Sequence, residues 1–269
     1  MVVIVFDFDD TLFSTWHYSP LESDLKKQKE MGMNVDDTTF HCPELSKSIN
    51  NLLERASKIG KVYIITNAER SWVKQCLKRY LPDCDQLENL ANSEEYLFSS
   101  RDSGIGKEYP DETGIWKYHA FQRKLSKVFN ENKDYKQLIA FGDAQGDRHA
   151  SLEFKKTFEH IIVKNILFTS CPSLNQIIGQ HNRVSKQFDW LTKVEGDLDL
   201  MTMVTETINA IEEDDVEVVS EAQEVVQEKY EAVSNLEYED SIHEQNAWYD
   251  NNVPYAGRCL HIDDYLHSC

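Results

Sequence analysis

The stretch VVIVFDFDDT, residues 2–11, stays apolar for five residues and then turns acidic. A run this short and this rich in β-branched residues suits a strand buried on both faces of a parallel sheet. Two more segments share the pattern, VYIIT at 62–66 and QLIAF at 137–141. With YLFS at 96–99 and a stretch within IIVKNILF at 161–168, the predicted strands number five, the first covering 2–8. Helical periods fill the gaps. In 43–58, Leu45, Ile49, Leu52, Leu53 and Ala56 recur at three- and four-residue steps, and Gly60 offers a stop. Segments 71–80 and 115–129 also read as helices. Strand alternating with helix predicts an α/β domain built on a doubly wound, Rossmann-type parallel sheet. In such sheets chemistry collects at the carboxyl ends of the strands, near the switch point. This chain places Asp7 and Asp9, Thr66 and Asn67, and Asp143 there.

The 269 residues include 28 Lys+Arg and 47 Asp+Glu, a formal net charge of −19. That charge is uneven. Residues 201–269 hold 17 acidic and 2 basic side chains (net −15), whereas residues 1–200 hold 30 and 26 (net −4). The split predicts an α/β domain over 1–200 and an acidic C-terminal tail over 201–269. An apolar content of 41% is enough for a core and excludes a wholly disordered chain. In the tail, Val204, Ile208, Ile211, Val218, Ala222, Val225, Ala232 and Leu236 fall in alternating steps of four and three, with Asp215 and Lys229 completing the series. That spacing predicts an amphipathic helix or short coiled coil over 204–236, able to meet a protein partner, to self-associate or to dock on its own domain.

Six well-separated cysteines with no CxxC pair read as free thiols in a reducing compartment. No apolar stretch is long enough to span a membrane, and the N-terminus lacks a signal peptide's basic start and longer apolar run. The expectation is a cytoplasmic protein without a membrane partner. The acid surplus makes non-specific nucleic-acid binding unfavourable.

The opening strand ends in Asp7-Phe8-Asp9-Asp10-Thr11, and alternation puts Asp7 and Asp9 on one side while the strand stays extended. Two carboxylates at one strand end need neutralising, and a divalent cation does it. The segment Gly142-Asp143-Ala144-Gln145-Gly146-Asp147 adds carboxylates from another strand end. Hard oxygen ligands on separate loops favour Mg²⁺ over zinc. Thr66 and Asn67 add hydrogen-bond donors, and Lys117 a cation near a helix start. A carboxylate nucleophile, a metal and donors for equatorial oxygens together suit a phosphoryl group.

VVIVFDFDDTLF, VYIITNAE, a lysine before the fourth strand and AFGDAQGD, in that order, resemble the four motifs of the haloacid dehalogenase (HAD) superfamily over roughly residues 1–170. The resemblance implies that Asp7 attacks phosphorus and carries an aspartyl-phosphate. It implies that Asp9 protonates the leaving oxygen and then activates water, that Thr66 binds phosphoryl oxygens, and that Lys117 screens charge. Lys107 is a rival for the lysine role. Asp7, Asp9 through its backbone carbonyl, and Asp143 would hold Mg²⁺, with Asp147 supporting them. An acid at position 9 favours a phosphatase of the DxDxT type. The short intervals around the motifs imply little or no cap, leaving Thr11 and Asn67, with Trp16, His17 and Tyr18 in the flap after the first motif, as candidate substrate contacts. Trp16 and Trp116 read more readily as core packing than as ligand stacking.

The leading expectation is therefore a Mg²⁺-dependent phosphomonoester hydrolase whose substrate is a phosphoprotein or small phosphometabolite. A second is an interaction protein whose acidic C-terminal helix is the working part. A third, less favoured, is a nucleic-acid end phosphatase, for which Lys26, Lys27, Lys29, Lys74, Lys78 and Arg79 are the only basic hints.

Overall fold

The computed structural model describes residues 1–19, 27, 30, 31 and 40–201, all within the unit Met1–Val204. The helix expected over 204–236 lies outside the described residues.

The elements run β1 (Val2–Phe6), α1 (Pro43–Ile59), β2 (Lys61–Thr66), α2 (Arg70–Tyr80), α3 (Asp85–Ala91) and β3 (Leu97–Ser99). Then come α4 (Ile105–Glu108), a 3₁₀ turn (Thr113–Ile115), α5 (Trp116–Glu131), β4 (Gln137–Gly142), α6 (Gln145–Thr157), β5 (Ile162–Leu167), α7 (Leu174–Lys193) and β6 (Leu198–Met201). All pairings are parallel, in the order β3-β2-β1-β4-β5-β6. This is an α/β fold with helices on both faces of a six-stranded parallel sheet, and its strand order is Rossmann-like. The direction of winding changes between β1 and β4, so the switch point falls between the ends of those two strands.

Alternation along each central strand explains why the runs are apolar throughout. Ile4 and Phe6, Val62 and Ile64, and Ile139 and Phe141 face the core under α1, α2, α3 and α7. Val3 and Val5, Tyr63 and Ile65, and Leu138 and Ala140 face the second core under α5 and α6. A polar residue at any of these sites would meet a packed helix on either side. Helix α1 begins with proline in its first turn, where the missing N–H costs nothing. It stops at Gly60, where an added Cβ would lie 2.4 Å from the Val2 carbonyl oxygen. Only glycine lets the chain enter β2 that close to β1.

Lys164 interrupts the apolar run of β5 and is fully buried. Its ammonium donates to the Leu191 carbonyl, to the Val194 carbonyl at 2.7 Å and to Gln137 at 3.4 Å. It thereby satisfies carbonyls at the end of α7, where the helix dipole favours a cation. The sixth strand, not expected from sequence, is held at the sheet edge partly by Asp199, which accepts from Arg148 Nε at 2.8 Å and Asn165 Nδ2 at 2.8 Å. No helix among the described residues is long and apolar enough to cross a membrane.

Candidate active site

Asp7 follows β1 directly, and its backbone N–H donates to the Phe141 carbonyl at 2.9 Å, continuing the β1–β4 ladder. Asp143 follows β4 in the adjacent position. Asp147 reaches the same place from the first turn of α6. One carboxylate oxygen from each of Asp7, Asp143 and Asp147 lies within 4.8 Å of the other two.

The third of these depends on a glycine. A Cβ at Gly142 would stand 2.3 Å from both Cβ and Cγ of Asp147, so the Asp147 side chain occupies the space that any other residue at 142 would need. Asp147 Oδ2 accepts the Ala144 backbone N–H at 3.2 Å, which satisfies one of the open donors at the start of α6.

Lys117, the second residue of α5, is 4% exposed. Its Nζ lies 2.6 Å from Asp7 Oδ1 and 2.9 Å from Asp147 Oδ1, and donates to the Ile65 carbonyl at 2.9 Å. Lys117 thus ties the ends of β1 and β2 to the start of α6. Lys107, the rival candidate, is exposed at the end of α4. The structure puts Lys117 on Asp7.

Two buried carboxylates, the half-buried Asp7 and one ammonium leave a formal excess of two negative charges. Burial pushes the Asp7 carboxyl up, with Lys117 pulling the other way. Burial also raises Asp143 well above the ordinary range, and Asp147 and Asp7 raise it further. Asp147 is pushed up to about 6 by burial against the pull of Lys117. Burial lowers the Lys117 ammonium, but Asp147 and Asp7 more than reverse it, so it stays protonated.

The donor set fits a hard divalent cation. It is all oxygen, it carries the balancing charge, and Asp7 Oδ1 is a buried atom that accepts no well-angled hydrogen bond despite its ion pair. The Asp143 carboxylate, 7% exposed in its residue, receives no hydrogen bond among the described residues. Oxygen donors with that charge suit Mg²⁺.

Asp9 stands apart from the trio. Its Oδ1 accepts from Thr15 Oγ1 at 2.5 Å and from Trp72 Nε1 at 3.0 Å. Its side chain is therefore not one of the three clustered carboxylates. Asp10 has a third role. It is buried at φ 51°, and its carboxylate accepts the Trp16 N–H at 2.9 Å, pinning the start of the helical turn over 15–19. Burial pushes Asp10 up to about 7, against the pull of that N–H.

Thr66 ends β2 fully buried. Its oxygen accepts the Ala68 N–H at 3.0 Å, and its own proton finds no acceptor among the described residues, so it can donate to an oxygen reaching the strand end. Ser100 fixes the orientation of Asn67 by donating to its Oδ1 at 2.8 Å, which leaves the amide nitrogen as the remaining donor. Thr11 is buried, and its hydroxyl has no hydrogen-bond partner among the described residues. Its carbonyl accepts from His181 Nε2 at 2.8 Å.

Trp16 corrects the core-packing expectation. It is 46% exposed, while its backbone N–H is held by Asp10. Trp116 does pack in the core, donating its indole N–H to the Tyr109 carbonyl at 2.7 Å. Between Asn67 and Lys117 the described chain is taken up by α2, α3, β3, α4 and the 3₁₀ turn, with no inserted domain. Most of 20–39, where a cap after the first strand would lie, falls outside the described residues. Trp72, Thr15 and Ser100 are site neighbours that the sequence pattern did not mark.

Compared with protein-family models, curated proteins and solved structures, the chain finds no match.

Proposed function

We propose that the protein is a Mg²⁺-dependent phosphomonoester hydrolase of the HAD type, working through an aspartyl-phosphate on Asp7. The observation that carries this reading is the Lys117 ammonium set between Asp7 and Asp147, with Asp143 completing a cluster of carboxylate oxygens within 4.8 Å.

Asp7, Asp143 and Asp147 would hold the cation, which supplies charge to draw a phosphate into a cluster of carboxylates. Lys117 neutralises part of the same charge and holds the Asp7 carboxylate in place. In the first half-reaction an Asp7 oxygen bonds to phosphorus as the ester P–O bond breaks, and Asp9 gives a proton to the departing oxygen. In the second, water attacks phosphorus, Asp9 takes its proton, and the Asp7–phosphorus bond breaks to release phosphate. Both carboxylates end as they began. The Thr66 hydroxyl and the Asn67 amide nitrogen would donate to the equatorial oxygens.

Turnover of p-nitrophenyl phosphate by the full chain, with and without Mg²⁺, tests the proposal against Asp7→Asn. The expected result is Mg²⁺-dependent hydrolysis that Asp7→Asn reduces to background. Equal rates in the two proteins would refute it.

A further inference from the structure

We infer that Trp72 and Thr15 are positioning residues for Asp9, clamping one carboxyl oxygen so that the other exchanges the proton; this rests on the phosphatase reading. Both donors converge on Asp9 Oδ1, Trp72 Nε1 at 3.0 Å and Thr15 Oγ1 at 2.5 Å. Among the described residues no hydrogen bond reaches Oδ2.

Indole N–H is a donor only, so Oδ1 must act as acceptor toward Trp72 in either protonation state of the acid. Oδ1 already meets both neighbours, whereas no hydrogen bond reaches Oδ2 among the described residues, so Oδ2 is the oxygen left open to exchange a proton. The clamp thus does two things with two bonds. It fixes the rotation of the carboxyl group, and it selects the oxygen that gives and takes the proton.

The donors are themselves held. Trp72 lies in the first turn of α2, and its ring meets Phe13 edge-on at 6.3 Å between centroids. Phe13 stacks on Tyr18 at 5.0 Å and leans on Tyr80 at 5.5 Å, so the indole rests on a buried aromatic group. Thr15 opens the helical turn over 15–19, whose start Asp10 pins through the next residue's N–H. Packing alone could be met by phenylalanine at 72. The N–H is what tryptophan adds, and its recorded acceptor is Asp9.

In the reaction, the ester P–O bond breaks as the Asp7–phosphorus bond forms, and the leaving oxygen takes the Oδ2 proton. Water later returns a proton to Oδ2 as it attacks phosphorus. A misaligned Asp9 harms the first step in proportion to how badly the leaving group needs that proton. An alkoxide needs it; p-nitrophenolate does not.

The test compares kcat/KM for an alkyl phosphate and for p-nitrophenyl phosphate, using the full chain with Mg²⁺. Trp72→Phe should lower the alkyl value about tenfold or more and the p-nitrophenyl value by less than about threefold. Thr15→Val should show the same asymmetry and Thr15→Ser should restore it, so the Thr15 pair carries the comparison if Trp72→Phe does not fold. Equal losses on both substrates, or no loss on either, overturn the inference while leaving the phosphatase reading intact. A wild-type protein without activity on either substrate overturns both.

Discussion

Replacing Gly142 with alanine pits one methyl group against the placement of Asp147. The new Cβ would fall 2.3 Å from Asp147 Cβ and Cγ and 2.5 Å from Oδ2, where ordinary contact begins near 3.4 Å. Residue 147 must move by about 1 Å, and a packed interior resists such shifts. A shift of that size stretches the 2.9 Å Lys117–Asp147 contact beyond hydrogen-bonding range and strains the 3.2 Å bond to Ala144. Overpacking costs about 1–3 kcal/mol. Losing a charged hydrogen bond costs about 1.5–3 kcal/mol more. A loss of about 3–5 kcal/mol lowers the melting temperature of a domain this size by roughly 10 °C or more. The assay is thermal unfolding of four proteins: wild type, Gly142→Ala, Asp147→Gly and the double variant. Asp147→Gly is required because even an alanine at 147 keeps the clashing Cβ. The expected outcome is a large cost for Gly142→Ala alone and almost none beside Asp147→Gly, a coupling that double-mutant cycles isolate. A Gly142→Ala melt within about 2 °C of wild type, or the same cost in both backgrounds, would show that Asp147 does not occupy the space over residue 142.

Mg²⁺ should stabilise the wild-type chain by about 2.7 kcal/mol at a hundredfold excess over its dissociation constant, read as a higher melting temperature. Asp143→Asn should remove that increment, and an unshifted wild-type melt would count against the cation site. His181 is fully buried between Ser48 and Thr11, and burial lowers it to about 4 against the pull of the Thr11 carbonyl. With the folded value below the ordinary 6.5, the unfolded chain binds more protons between the two. His181 therefore contributes stability above pH 6.5 that is lost as pH falls toward 4, by about 3 kcal/mol in all. Urea melts across that range should show wild type losing about 3 kcal/mol relative to His181→Gln as pH falls; parallel curves would refute it.

Strands β1, β2 and β4 are readable in the sequence because both their faces are buried, so no polar residue breaks the run. The α1 stripe is readable because five of its seven buried residues are apolar and fall at helical spacing, Ser46 and Ser48 being the exceptions. Helices α6 and α7 are harder to read because polar residues interrupt their buried faces more often. The buried face of α6 includes Asp147 and Ser151, and that of α7 includes Gln180 and His181, each placed for a hydrogen bond or ion pair and not for apolar packing. Strand β6 is four residues at a sheet edge, and its Asp199 serves Arg148 and Asn165.

The site divides along the same line. Spacing alone locates Asp7 and Asp143, because strand ends in a parallel sheet converge at the switch point whatever the loops do. It cannot separate Lys117 from Lys107, since both precede β4 and only the fold sends one to Asp7. Nor can it find the Trp72 clamp, which joins residues 63 apart. The DFDD segment makes the point most sharply. Three aspartates within four positions are chemically identical, yet Asp7 meets Lys117, Asp9 meets Trp72 and Thr15, and Asp10 holds the Trp16 N–H. What distinguishes them is the backbone. The strand is still extended at Asp7 and reaches φ 51° at Asp10, so each carboxylate leaves in its own direction. Exchanging Asp9 and Asp10 with asparagine one at a time should therefore give unlike results. Asp10→Asn keeps an oxygen for the Trp16 N–H and should leave turnover within a few-fold of wild type. Asp9→Asn keeps an oxygen for Trp72 but, on the proposed phosphatase mechanism, removes the proton carrier, and should lower turnover of an alkyl phosphate by about 10²-fold or more. Equal effects from the two would mean that the backbone turn does not sort these carboxylates by role.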